Sequence, residues 1–295
     1  MVGRTVESIA SAYSSGLGRV IFAAALAVSW PGCATNPYTE RSQLLLITEA
    51  EEQQMGLQAY QQVLNDPKNK ISRDPKEVEP VKRVAARIIA AAKASKYADS
   101  ANRFQWQVVV IKDDRTPNAF ALPGGKIAVY TGLFPFAKNE AGLAAVMGHE
   151  VVHALARHGA ERISQGQLAN AGLAAANIAL GVSGTNPLAG QAIMQALGLG
   201  AQIGVLLPFS REHESEADYI GLLLAAQAGY EPEESLRLWE RMESAGGGAQ
   251  PEFLSTHPGH GTRIKDLEAA MPEARTLYNQ SPTLGLGADL PRIGK

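Results

Sequence analysis

The sequence predicts a mainly helical α+β fold with a small β-sheet, and three observations predict it. Apolar residues recur at spacings of three and four through most of the chain, the mark of helices that bury one side. Two stretches, residues 105–112 and 126–131, are rich in β-branched residues and read as strands. With 45% hydrophobic and 19% charged residues in 295, the chain has enough apolar surface for a sizeable core. The formal net charge of −2 gives no reason to expect nucleic acid as a partner. A single cysteine, Cys33, excludes an intramolecular disulfide.

In chain order, residues 20–28 form a short apolar run after Arg19, which fits a signal-peptide core rather than a spanning helix. The run leads into Trp30-Pro31-Gly32-Cys33, a pattern similar to a lipoprotein processing site. The expectation is a signal peptide over 1–32, a lipid on Cys33, and a chain anchored in a bacterial envelope, facing the periplasm. Ala34 lacks the acidic residue that favours the inner membrane, which points to the outer one. Residues 33–75 then form an anchor segment and one helix, predicted over 48–64. Thr48 and Glu51 have the spacing of a capping box, Glu49 and Glu52 suit a helix start, and Met55, Leu57, Tyr60 and Val63 suit its buried side. Residues 65–76 carry Pro67 and Pro75 and read as a loop.

A second helix is predicted over 77–94 through Val78, Val81, Val84, Ile88 and Ile89. Between the two predicted strands lies Asn118-Ala119-Phe120-Ala121-Leu122, followed by a Pro123-Gly124-Gly125 turn. Pro cannot donate to a ladder, so residues 118–122 would form an edge strand, open to pairing with an extended peptide; a plain hairpin is the alternative.

Asn139 and Glu140 suit a helix start, and Leu143, Val146, Met147, Val151 and Leu155 supply its apolar positions. This helix carries His149-Glu150-Val151-Val152-His153. Two His four residues apart share a helix face and can reach one zinc ion, with Glu150 beside the water that completes the site. The helix is predicted to run on through Arg157, His158, Glu161 and Arg162, which turns His158 off the ligand face to a capping or surface role. Residues 168–207 contain no charge and read as two small-residue helices joined at 181–187.

Ser210-Arg211-Glu212-His213-Glu214-Ser215-Glu216-Ala217-Asp218 opens another helix. Glu214 can be the third ligand, and Asp218, on the same face, can accept the far ring N–H of a ligating His. Glu212 and His213 are alternative ligands, and Glu216 is predicted to point away. Further on come a helix over 232–245, a flexible Gly246-Gly247-Gly248 link, His257 presented from a loop before Pro258, and a helix over 260–271. Arg263 could stabilise charge at the site or be a surface residue. Residues 276–295 are predicted to be a disordered tail.

His149–His153, Ser210-Arg211 with Glu214-x-Glu216-Ala217-Asp218, Asn118–Gly125 and Ser255-Thr256-His257-Pro258 together resemble metallopeptidase family 48 over roughly residues 34–275. Without evident membrane helices or a repeat array, the chain is most similar to that family's compact periplasmic lipoprotein branch. The resemblance implies a gluzincin-type domain over 76–275. It implies one zinc ion on His149, His153 and Glu214, with Glu150 as base and His257 near the metal. It also implies a substrate strand that includes Asn118, Ala119, Phe120, Ala121, Gly124 and Gly125. The implied activity is endopeptidase cleavage of unfolded or misassembled envelope proteins. The alternatives are an assembly factor whose zinc site is closed by His257, and a structural protein without metal.

Overall fold

The computed structural model describes residues 33–179, 209–245, 252–258 and 261–293. The predicted signal peptide, most of the uncharged segment and the Gly246–Gly248 link lie outside them. Two short strands, β1 (Cys33–Thr35) and β2 (Ser42–Leu44), form an antiparallel hairpin. Helix α1 (Glu49–Asn65) starts with the predicted capping box: Thr48 accepts from the Glu51 backbone, and the Glu51 side chain returns to the Thr48 backbone. Its inward face is shifted, however. Glu52, Gly56, Ala59, Tyr60 and Val63 are buried, while Leu57 is exposed. Glu52 is drawn inward by the Arg157 guanidinium, 2.6 Å away.

Helix α2 (Pro75–Lys93) begins two residues earlier than expected, because Asp74 caps it and Pro75 suits a first helical position. A short α3 (Ala98–Arg103) precedes the main sheet of β3 (Gln107–Ile111), β4 (Ala119–Leu122) and β5 (Lys126–Tyr130). The strand order is β3-β5-β4, with β5 parallel to β3 and antiparallel to β4. The stretch over 118–122 is thus both one arm of a hairpin and the edge of the sheet. A one-turn helix α4 (Phe134–Ala137) leads to α5 (Glu140–Leu155), capped by the Asn139 side chain on the Gly142 N–H.

Helix α5 has no polar back; every one of its residues is buried. It is sandwiched between α2, β4 and α7 (Arg211–Gln227). Glycines let α5 and α7 touch. A Cβ on Gly221 would stand 2.7 Å from the His149 nitrogen, and one on Gly148 equally close to the Gly221 carbonyl. This contact sets the two helices carrying the predicted motifs backbone to backbone.

Two expectations are corrected on either side of this pair. Helix α5 ends at Leu155, and α6 (His158–Ala179) begins after a break at Arg157, whose φ is 59°. The left-handed residue reverses the chain, so His158 is not one more position on the same helix. At the other end, α8 (Glu233–Ser244) and a short α9 (Glu252–Thr256) precede α10 (Arg263–Gln280), which extends past residue 276. The segment after it is not a free tail. The Glu140 and Ala141 N–H groups, at the open start of α5, donate to the carbonyls of Ala288 and Leu286, and Leu290 is buried.

Candidate metal centre

His149 and His153 sit on successive turns of α5 with their Nε2 atoms 3.0 Å apart. Glu214 enters from the first turn of α7, its carboxylate 3.5 and 3.6 Å from those two nitrogens. His257 follows α9 at a bend, with Nδ1 3.2 Å from His149 Nε2 and 3.0 Å from Glu214 Oε1. One donor atom from each of these four residues lies within 4.8 Å of all the others, and all four are buried.

The hydrogen bonds behind the cluster decide which form each ring takes. His149 Nδ1 lies 2.9 Å from Asp218 Oδ1. A carboxylate only accepts, so Nδ1 carries the hydrogen and Nε2 turns a lone pair inward. Asp218 therefore stands where the sequence put it. His153 Nδ1 meets His158 Nδ1 at 2.9 Å, and His158 Nε2 meets Glu216 Oε2 at 3.0 Å. The same logic gives His158 a hydrogen on Nε2 and makes its Nδ1 the acceptor, so His153 also turns a lone pair inward. Two lone pairs 3.0 Å apart repel unless a cation lies between them. Two imidazole nitrogens and a carboxylate that point at one spot are the donor set of a zinc site. The residues fit the ion.

Electrostatics agree with that donor set. Burial drives His149 and His153 well below the usual imidazole range, which keeps them neutral. Burial alone would raise Glu214, but the His257 charge and the hydrogen bond from His257 hold it well below its ordinary value. Glu150 is fully enclosed, and burial pushes it up to about 7. His257 Nε2 faces its Oε1 at 3.4 Å. Burial pulls His257 down, yet the facing carboxylates of Glu150 and Glu214 outweigh it and raise this imidazole.

Arg263, left open by the sequence, is 1% exposed. It donates to Glu214 Oε2 and Asp218 Oδ2, both at 2.6 Å, and lies over the Trp239 ring. It balances the two acidic groups that α7 brings in, which no local pattern announced. His158, expected at a cap or on the surface, is wholly buried behind His153. His213 and Glu212, the alternative ligands, lie outside the cluster: His213 pairs with Glu161 at 3.0 Å, and Glu212 is exposed. Glu216 does point away from the cluster, into a second network with Arg41, Thr39 and His158.

In β4, the Ala121 backbone hydrogen-bonds to Glu150. Phe120 turns to the other side, against Tyr130. Ala119 is buried, and Asn118 bonds back to the Ala119 N–H. Gly124 and Gly125, both with positive φ, turn the hairpin beside Gln53 and Trp106. Cys33 opens β1 and makes no part of the cluster. Among the described residues, no helix is long and apolar enough to cross a membrane.

A sequence model of peptidase family M48 matches residues 75–271. The mitochondrial metalloendopeptidase OMA1 of Schizosaccharomyces pombe is 40% identical over 228 residues, covering 76% of this chain and 62% of that protein. Its namesake in Saccharomyces cerevisiae is 30% identical over 287 residues, covering 89% and 78%. The β-barrel assembly-enhancing protease of Escherichia coli K12 is 32% identical over 170 residues, covering 56% and 34%. The chain thus spans less than two thirds of the fission-yeast relative and a smaller share of the bacterial one. The expected location in a bacterial envelope is overturned. Both yeast relatives, which match far more of the chain than the bacterial protease does, are named mitochondrial. A short apolar run ahead of a cysteine was too weak a pattern to fix a compartment.

Proposed function

The chain belongs to peptidase family M48, and on that premise we propose that it is a zinc-dependent metalloendopeptidase. The observation that carries the proposal is the pair of inward lone pairs on His149 and His153, 3.0 Å apart beside Glu214. In this reading His149, His153 and Glu214 hold one zinc ion. Bound there, zinc supplies Lewis acidity that polarises a scissile carbonyl and activates water. Glu150, poised near neutral pH, takes the proton of the attacking water and passes it to the leaving amine. His257, held up by two carboxylates, donates toward the oxygen that gains charge. Asp218 and Arg263 hold Glu214 and His149 in place.

An extended substrate is aligned by adding as a strand along the edge of β4 opposite β5, taking over the contacts that the Ala119 and Ala121 backbone makes with Asn118 and Glu150. Strand addition recognises backbone and so suits unfolded or misassembled proteins as substrates. The name of the bacterial relative, an assembly-enhancing protease, supports that choice. A second reading has one observation in its favour. His257 Nδ1 lies as close to Glu214 as a ligand would, so His257 as a fourth ligand would close the site and leave a holding or assembly factor.

Cleavage of denatured casein by the full chain separates the two. The protease reading expects cleavage that a chelator stops and zinc restores, with Glu150→Gln lowering the rate by about 10²–10⁴-fold. Aggregation suppressed equally by wild type and Glu150→Gln, without cleavage, would favour the closed-site reading.

A further inference from the structure

We propose that His158 is a positioning residue for His153, held by Glu216 and Arg41, and that it fixes which ring nitrogen His153 turns to the metal. The inference rests on the metal-site reading above. The two histidines of α5 are oriented in different ways. His149 has its carboxylate, Asp218, in direct contact. His153 has no carboxylate at its Nδ1; it has an imidazole, and the carboxylate stands one step behind.

The break after α5 makes this possible. Arg157 reverses the chain, and His158 folds back under His153 with ring centroids 4.9 Å apart and planes 77° apart. Both nitrogens of His158 are engaged, at 2.9 Å to His153 and 3.0 Å to Glu216. Glu216 is held as a pure acceptor. It receives Arg41 Nε at 3.0 Å and Nη2 at 2.9 Å, and also the Thr39 hydroxyl. The run Arg41–Glu216–His158–His153 therefore has one direction for its hydrogens, and that direction leaves the His153 Nε2 lone pair facing Glu214. His213 stacks on the His158 ring at 4.4 Å and, tied to Glu161, prevents the ring from turning. Arg41 and Thr39 come from the turn between β1 and β2, so a segment ahead of the family match supports a metal ligand.

The test is zinc affinity of the full chain by chelator competition, for wild type, His158→Leu, His158→Asn and Glu216→Gln, with thermal stability of each metal-free form. His158→Leu keeps an apolar bulk but offers no acceptor, and is expected to weaken zinc by about 10–100-fold. His158→Asn places a carbonyl oxygen near the lost Nδ1 and is expected to recover most of that loss. The visible spectrum of the cobalt-loaded chain should change in His158→Leu and return toward wild type in His158→Asn. A purely structural role would lower stability in both variants and leave affinity alone. Zinc affinity of His158→Leu within about threefold of wild type would overturn the proposal. Should that variant not fold, Glu216→Gln decides: weaker zinc binding supports the relay, and unchanged binding overturns it. A wild-type chain that binds no zinc fails the metal-site reading itself, and this inference with it.

Discussion

Helix α7 joins two buried clusters of histidine and carboxylate that differ in one respect. In the first, His149, His153, Glu214 and His257 turn donor atoms toward a common point. In the second, His158 pairs with Glu216 and His213 with Glu161, and Arg41 bridges both carboxylates. Composition and burial do not separate the two. Arrangement does: in the second each carboxylate pairs with one histidine and with Arg41, while in the first four donor atoms converge within 4.8 Å of one another. Convergent donor atoms, rather than a count of His and Glu, mark the metal site.

The comparison can be tested first at its arginines. Arg263 is fully buried between Glu214 and Asp218, so Arg263→Met strands two carboxylates and should cost about 3–5 kcal/mol in the metal-free chain. Arg41 is partly exposed, and water can replace it, so Arg41→Met should cost about 1 kcal/mol or less. Urea unfolding of the two variants measures both. Equal losses would mean that the clusters are balanced alike.

Helix contact gives a smaller effect. Gly221→Ala pushes a methyl against the His149 nitrogen, 2.7 Å away, and should destabilise by about 1–3 kcal/mol. It should also weaken zinc, because it separates His149 from Glu214, without touching the hydrogen bonds of the second cluster. A stability unchanged within about 0.5 kcal/mol would show that the crossing tolerates the methyl.

The least disruptive probe is acid. Burial would raise Glu216, but His158, Arg41 and Thr39 outweigh it and lower it to about 2; Glu161 is lowered by His213, Arg41 and Gln43 in the same way. A lowered folded-state value means that both contribute stability above about pH 4.5 and lose it as pH falls toward about 2. Glu216→Gln should flatten the fall in unfolding midpoint below about pH 4.5. An unaltered slope would place the acid sensitivity elsewhere.

Local signals were legible in the sequence. The Thr48–Glu51 box, the Asn139 cap, the His149–His153 pair and the Glu214–Asp218 pair each lie within one or two turns, and each stands in the structure at its expected position. What could not be read depends on contacts far along the chain. Arg263 reaches Glu214 across 49 residues, and Arg41 reaches Glu216 across 175. His158 was misplaced because helical periodicity continued through a break that only the positive φ of Arg157 reveals. The docking of residues 281–293 uses the Leu286 and Ala288 carbonyls beside the buried Leu290, and backbone carbonyls leave no mark in side-chain pattern. Gly148 and Gly221 did carry a signal, a glycine on each motif helix, that a search for close crossings would have used.

Metal content tests the central contrast most directly. The full chain, its Glu214→Ala variant and its Glu161→Gln variant would be dialysed and analysed for zinc. The account predicts about one zinc per wild-type chain, little in Glu214→Ala, and near wild-type content in Glu161→Gln. Zinc retained in Glu214→Ala but lost in Glu161→Gln would contradict it and move the metal to the second cluster.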